Sequence, residues 1–350
     1  MRLQFQFLET VNGLDNSNLQ IIPRIRQQLR EATTAPGMVM ISLSAVALGA
    51  AFGGYLPLIS LWMETFNISF QKIGIVCGAS AVGVVSSAYF APKLAARYGY
   101  ILTINVGLVV AAIMTVAFRF TDNYGLWLAL RFVSGLGLGL HWVLTEAWLA
   151  NIVTEKYRTR VMAIYATAIS IGFAIGPMVI WLFGALSIIP FIIMGALLIL
   201  AALPILRLKG HEPKDSQTRS ASPLILIKKA PTVASACIVV GSVDLALISL
   251  LPAMITRTPE AAPILALIIV PAMAIGATIL QYPIAIIADK HGLRKVGVMT
   301  VCAGLIFASL IPFFLGSVLL TLLFGFLAAG LVYGLYSIGL AMLSLSLIHI

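Results

Sequence analysis

The sequence predicts an all-α polytopic membrane protein made of two helical bundles, and three observations carry that prediction. Apolar residues make up 61% of the 350, charged residues only 10%, and the mean hydropathy is +1.05. A soluble domain would carry about a quarter charged residues. Apolar runs of about 18 residues or more recur along the chain, each long enough to cross the roughly 30 Å hydrocarbon layer as a helix. A glycine-marked polar turn at Gly99 returns at Gly292, 193 residues later, and that offset relates one half of the chain to the other.

The elements follow in order. Residues 1–37 form a polar N-terminal tail with Arg24, Arg26 and Arg30 and no apolar core of a cleavable signal. Insertion is therefore expected to be driven by the first span. Ten spans follow, at about 38–63, 72–91, 101–119, 126–150, 161–182, 185–206, 232–255, 263–287, 296–314 and 317–343. Most connections are short, so consecutive helices are expected to be antiparallel neighbours. The exception is 207–230, a polar stretch with His211-Glu212-Pro213-Lys214-Asp215 and several serines, which reads as a linker between bundles. Shifting the centres of spans 1 to 4 by 193 residues lands in spans 7 to 10, in order. Span 1 also carries Tyr55-Leu56-Pro57-Leu58 where span 7 carries Leu250-Leu251-Pro252-Ala253. Parallel repeats joined by a linker are the plan of one large transporter class.

A net charge of +10 in a soluble protein would point to nucleic acid, but its distribution here gives another explanation. Eighteen Lys and Arg lie in the tail and after the even-numbered spans, three on the opposite side, and Arg131 lies inside span 4. That bias places the N-terminus, the linker and both glycine turns in the cytoplasm. No nucleic-acid partner follows. Cys77, Cys237 and Cys302 all fall in apolar runs without a CxxC partner, so neither a disulfide framework nor a metal site is expected. No Gly-rich phosphate loop and no cluster of His, Cys and carboxylates with ligand spacing is present, so the chain does not read as an enzyme.

The second turn, Ala288-Asp289-Lys290-His291-Gly292-Leu293-Arg294-Lys295, resembles the motif between helices of the major facilitator superfamily, roughly G-x-L-A-D-R/K-x-G-R-R/K. It keeps the acidic, basic and glycine positions in Asp289, Lys290, Gly292, Arg294 and Lys295. The first turn keeps only Arg97 and Gly99, with Ala96 where the family has its gate aspartate and Tyr100 where it has a basic residue. Arg131-Phe132-Val133-Ser134-Gly135 in span 4 is similar to the family's RxxxG motif. Gly172, Gly176 and Pro177 in span 5 are similar to the GxxxGP motif common in its antiporters. The run from Trp142 to Tyr165 resembles a bacterial branch of permeases in that superfamily. The resemblance implies two six-helix bundles, of which ten of twelve helices are present, working as a monomer in the bacterial inner membrane. It implies a small-molecule substrate and no cofactor beyond the proton gradient.

Asp244 is the most informative side chain. It is the thirteenth residue of the span at 232–255, where a carboxylate costs about 3 kcal/mol even on lenient insertion scales. It reads as a proton-coupling or substrate-binding group, with interhelical packing as the plain alternative. Arg131, Gly135, Leu138, Trp142 and Glu146 share a helical stripe expected to line a central cavity. Glu146 is expected to pair with Arg97 or Arg158 at the cytoplasmic gate. Gln281 is a candidate substrate contact or interhelical bond, His141 a packed core residue. Gly172, Gly176 and Pro177 are expected to shape helix contacts and carry no chemistry.

Leu345-Ser346-Leu347-Ile348-His349-Ile350 matches what a transposon mosaic-end sequencing adapter encodes in one frame. The native sequence is therefore expected to end near Ser344, with helices 11 and 12 outside the chain. The residues together point to a proton-coupled secondary transporter, with efflux by antiport favoured by the span-5 motif. The rivals are a non-transporting sensor or scaffold on the same fold, and a ten-helix exporter of two five-helix repeats. That exporter would equate span 6, not span 7, with span 1.

Overall fold

The computed structural model describes residues 37–152, 155–213 and 231–348. Among them ten helices are long and apolar enough to cross a membrane. They are α1 Met38–Glu64, α2 Phe70–Tyr98, α3 Tyr100–Ala117, α4 Tyr124–Ile152, α5 Glu155–Phe183, α6 Ile189–Leu206, α7 Pro231–Arg257, α8 Leu265–His291, α9 Leu293–Leu310 and α10 Val318–Ile348. Short 3₁₀ turns, Phe118–Phe120 and Ile311–Phe314, follow α3 and α9, again at matching places in the two halves.

The ten spans stand as expected, but two ends are corrected. Helix α2 runs seven residues past the expected stop at 91, and α8 runs through Asp289, Lys290 and His291. Ala, Lys, Arg and Tyr continue a helix into water at little cost, so loss of hydrophobicity does not end it. The stops are single glycines. Gly99 at φ +84° and Gly292 at φ +95° hold conformations that a side chain would strain, and α3 and α9 begin at the next residue. Each charged turn is one glycine between two helix ends. Helix α10 continues through Ile348 without a break at 344. The tail before Gly37 and most of the linker, from 214 to 230, lie outside the described residues.

Small residues set the packing. A Cβ on Gly172 or Gly176 of α5 would strike the carbonyl oxygens of Val46 or Ala50, while Gly49 and Gly53 of α1 lie equally close to the backbone of Ile169 and Phe173. The span-5 glycines therefore serve close approach of α1 and α5, as expected. The repeat recurs in this detail. Gly83 of α2 abuts the Phe132 carbonyl of α4, and Gly276 of α8 abuts the Phe326 carbonyl of α10. These two glycines are also 193 residues apart.

The apolar cores show how the halves meet. At the end bearing Gly99 and Gly292, hereafter the basic end, one cluster uses first-half residues such as Met38, Ala95, Trp148 and Ile205. The second half has its own clusters there, around Ile284, Val296 and Ile338 and around Val240, Val332 and Leu335. Clusters that mix the halves lie away from the basic end. Leu56 of α1 packs with Ile248, Leu251 and Ile255 of α7, and Leu250 and Leu267 join a cluster built on Tyr55, Cys77, Phe118 and Trp127. Among the described residues the apolar clusters that bridge the halves lie toward the opposite end, which they and the facing ends of α1 and α7 seal.

Candidate transport site

Helix α7 carries the central group. Asp244 is half-buried, and its Oδ2 accepts a hydrogen bond from the Tyr333 hydroxyl of α10 at 2.9 Å. The residues one turn either way are apolar, with Val240 and Val243 packed on Val332 and Leu335. Among the described residues no cation lies within ion-pair distance of Asp244. A carboxylate held by one phenol in apolar surroundings is equipped to exchange a proton, because neither charge state is locked by a permanent countercharge.

The side chain of Arg131 is fully buried. Its guanidinium carbon lies 4.9 Å from the centre of the Tyr55 ring. Cys77 of α2 lies close enough to feel its charge, and Ser249 of α7 adjoins that thiol. None of the three guanidinium nitrogens completes a hydrogen bond among the described residues. Arg131 and Asp244 are not paired.

The expected stripe on α4 divides between neighbours. Gly135 packs directly on the Ser80 backbone of α2, so it serves a helix contact. Trp142 meets Phe52 of α1 edge to face at 6.2 Å, and Phe52 in turn meets Phe173 of α5 at 5.6 Å. The carboxylate of Glu146 accepts from Trp142 Nε1 at 2.7 Å and makes no ion pair with Arg97. That partner stands one helical turn away on the same face of α4. The side chain of Arg158 lies outside the described residues. Gln281 is half-buried on α8. His141 is buried in the core as expected, bonded at Nε2 to Ser44 Oγ at 2.8 Å.

At the basic end Arg97 is exposed, its guanidinium 5.2 Å from the Tyr98 ring. Lys290, Gly292, Arg294 and Lys295 are exposed too, and the side chain of Asp289 lies outside the described residues. One carboxylate does reach the first turn. Glu212, from the start of the linker, accepts the backbone N–H of Tyr100 at 3.0 Å and so caps the first turn of α3. That places negative charge at a helix N-terminus, where the dipole favours it. The linker thus brings an acid to the turn in which Ala96 stands.

The opposite end is closed by a pair that sequence reasoning missed. Arg257, at the end of α7, makes an ion pair with Glu64 at the end of α1. It also donates through Nη2 to the Ile68 carbonyl at 2.6 Å and lies 4.1 Å from the centre of the Phe70 ring. Glu64 and Arg257 are 193 residues apart, so equivalent positions of the two halves face each other. The signal was available as opposite charges at one repeat offset. Tyr333 offered no such signal, being a tyrosine in a long apolar run.

The sequence profile of the Major Facilitator Superfamily matches residues 41–349. Among curated relatives, the chain is 26% identical over 273 residues to YfkF of Bacillus subtilis (strain 168), named an uncharacterized MFS-type transporter, covering 76% of this chain and 68% of that one. It is 23% identical over 261 residues to YcaD of Salmonella enteritidis PT4, named in the same way, covering 73% and 65%. A Yersinia pestis relative is matched over only 55% of its length, so the chain spans roughly half to two thirds of these relatives. In fold it is similar to a point mutant of the nucleoside transporter NupG, with a TM-score of 0.73 at 15% identity over 88% of this chain and 82% of that one. It is also similar to a bacterial homologue of the human lysosomal transporter Spinster in its inward-facing, occupied conformation, with a TM-score of 0.66 at 19% identity over 86% and 72%. The five-plus-five exporter alternative falls with these matches. The chain belongs to the Major Facilitator Superfamily.

Proposed function

We propose that this chain is the transport unit of a proton-coupled secondary carrier that moves a small molecule by alternating access. The observation that carries the reading is Asp244, a mid-span carboxylate whose one described partner is the Tyr333 hydroxyl at 2.9 Å. A charge there is costly unless it works. Helix α7 carries Asp244 at its middle and Arg257 at its sealed end, so a proton at Asp244 acts on the helix that holds the closure. With the basic end in the cytoplasm, as the Lys and Arg bias favours, the state described faces inward. Binding Asp244 to a proton removes the charge that Tyr333 answers and frees α7 to move against α10. The span-5 glycines, which let α1 and α5 approach closely, favour antiport and hence efflux.

The test is flux in proteoliposomes made from the protein expressed from its chromosomal reading frame, under an imposed pH gradient. The panel comprises a nucleoside, a pentose, a lipophilic cation and an aromatic carboxylate. Gradient-dependent movement of one class supports the carrier. Saturable binding of a panel member with no flux of any would favour the sensor reading instead.

A further inference from the structure

Arg131 and its neighbours pose a problem that the protein's own groups do not answer. The guanidinium is fully buried, and Nε, Nη1 and Nη2 all lack hydrogen-bond partners among the described residues. The hydroxyls of Tyr55 and Ser249 are buried and complete no hydrogen bond of good geometry either, though Thr115 stands near the first and Cys77 near the second. The Tyr55 hydroxyl lies beside the guanidinium, and Ser249 lies beside Cys77, which feels the same charge. These residues come from α1, α2, α4 and α7, so the cluster straddles the seam between the halves. Every orphan group in it can donate, and five guanidinium N–H bonds are among the donors.

Among the described residues no carboxylate answers this charge. Of the 12 in the sequence, only Glu146 and Asp244 stand well inside a span. Glu146 is fifteen residues further along α4, about 22 Å at the helical rise, and is bonded to Trp142. Asp244 is bonded to Tyr333, and Glu64 is taken by Arg257. The walls around the cluster are apolar and aromatic, with Phe118 stacked on Trp127 at 5.5 Å and Leu130 beside them.

We infer that Arg131, Tyr55 and Ser249 form a binding site for a single negative charge, a carboxylate-class group presented on a small apolar body. This rests on the carrier reading and names the substrate class for it. One buried cation ringed by neutral donors suits a monoanion; a second negative charge would meet no partner. Tyr55 precedes Glu64 by nine residues and Ser249 precedes Arg257 by eight, so the site lies about 12–14 Å beneath the closed end. Opening that end would release a ligand held there to the far side of the membrane. The same donors would also hold a free inorganic anion.

The test is thermal stabilisation of the purified protein by benzoate, with chloride and uncharged benzamide as companion probes, each run with sulfate, a dianion, as the background anion. Saturable stabilisation by benzoate but not benzamide is expected, and loss of one charge-assisted contact weakens it about 10- to 100-fold. Arg131→Gln should show that loss. If Arg131→Gln does not fold, Tyr55→Phe and Ser249→Ala, which keep the guanidinium, should each weaken the response several-fold. Stabilisation by chloride with none by benzoate would keep the anion site but assign it to a free ion, overturning the substrate claim. Equal response to benzoate and benzamide, or an unchanged response in every variant, would overturn the site itself. Benzoate stabilisation is read without a pH gradient, so absence of flux with benzoate binding intact marks a failure of the carrier reading, and absence of benzoate binding with gradient-driven flux of another panel compound intact marks a failure of this site.

Discussion

The closure between Glu64 and Arg257 invites a direct perturbation. Arg257→Ala removes the ion pair, the bond to the Ile68 carbonyl and the contact with Phe70 together, whereas Glu64→Gln removes only the charge. The side chains are 32% and 18% exposed, so solvent screens the pair and it is worth about 0.5–1 kcal/mol. The aromatic contact adds about 0.5–1 kcal/mol, and the bond to the carbonyl a comparable amount. Arg257→Ala should therefore shift the balance between closed and open ends by about 1.5–3 kcal/mol, roughly 10- to 150-fold, and Glu64→Gln by about two- to fivefold. Cys77 supplies the reporter, because it is 1% exposed and lies beneath the closure. In a background with Cys237→Ser and Cys302→Ser, labelling of Cys77 by a membrane-impermeant maleimide from the closed side should be fastest in Arg257→Ala, intermediate in Glu64→Gln and slowest in the unmodified pair. The exchanged pair Glu64→Arg with Arg257→Glu should recover part of the slow rate. Labelling of Cys77 that is equally slow in all variants would refute a closing role for the pair.

Other outcomes follow from the same geometry. Gly83→Val and Gly276→Val should each lower the thermal midpoint by a similar amount, since each side chain would meet a carbonyl oxygen of the facing helix; overpacking of this kind costs about 1–3 kcal/mol. Tyr333→Phe should reduce proton-linked flux severalfold while keeping exchange at equal pH, because it removes the one described hydrogen bond to Asp244; loss of exchange as well would place Tyr333 on the substrate path. Glu212→Gln should cost about 0.3–1 kcal/mol at the start of α3 and speed tryptic cleavage at Arg207 and Lys209 about two- to fivefold. An unchanged cleavage rate would mean that the linker is held by other contacts.

Hydropathy made the ten spans legible, and the paired glycines made the repeat legible, because both signals are local. The helix ends at 98 and 291 were not, since a helix entering water keeps its backbone bonds whatever its side chains are. Asp244 stood out as a lone carboxylate at mid-span. Its partner did not, because the choice of Tyr333 among ten tyrosines depends on the register of α10 against α7. Arg131 was legible as an oddity, yet its stripe was misread: the face of α4 is broad enough to meet α2 at Gly135 and α1 at Trp142. Glu64 and Arg257 were counted only as charges at membrane edges. Only the fold shows that equivalent positions of the repeat meet there. Glu212 was assigned to a linker, and its role as a cap requires the linker to turn back on α3.

Proton movement tied to Asp244 is the most direct test of coupling. A pH-sensitive dye enclosed in proteoliposomes would report protons moved when a transported panel compound is added, in the native protein and in Asp244→Asn, alongside compound exchange at equal pH. The native protein should move protons in fixed ratio to the compound. Asp244→Asn should move none, yet keep exchange, since the substrate path is intact. Proton movement that persists in Asp244→Asn at the native ratio would remove Asp244 from the coupling and contradict the proposed mechanism.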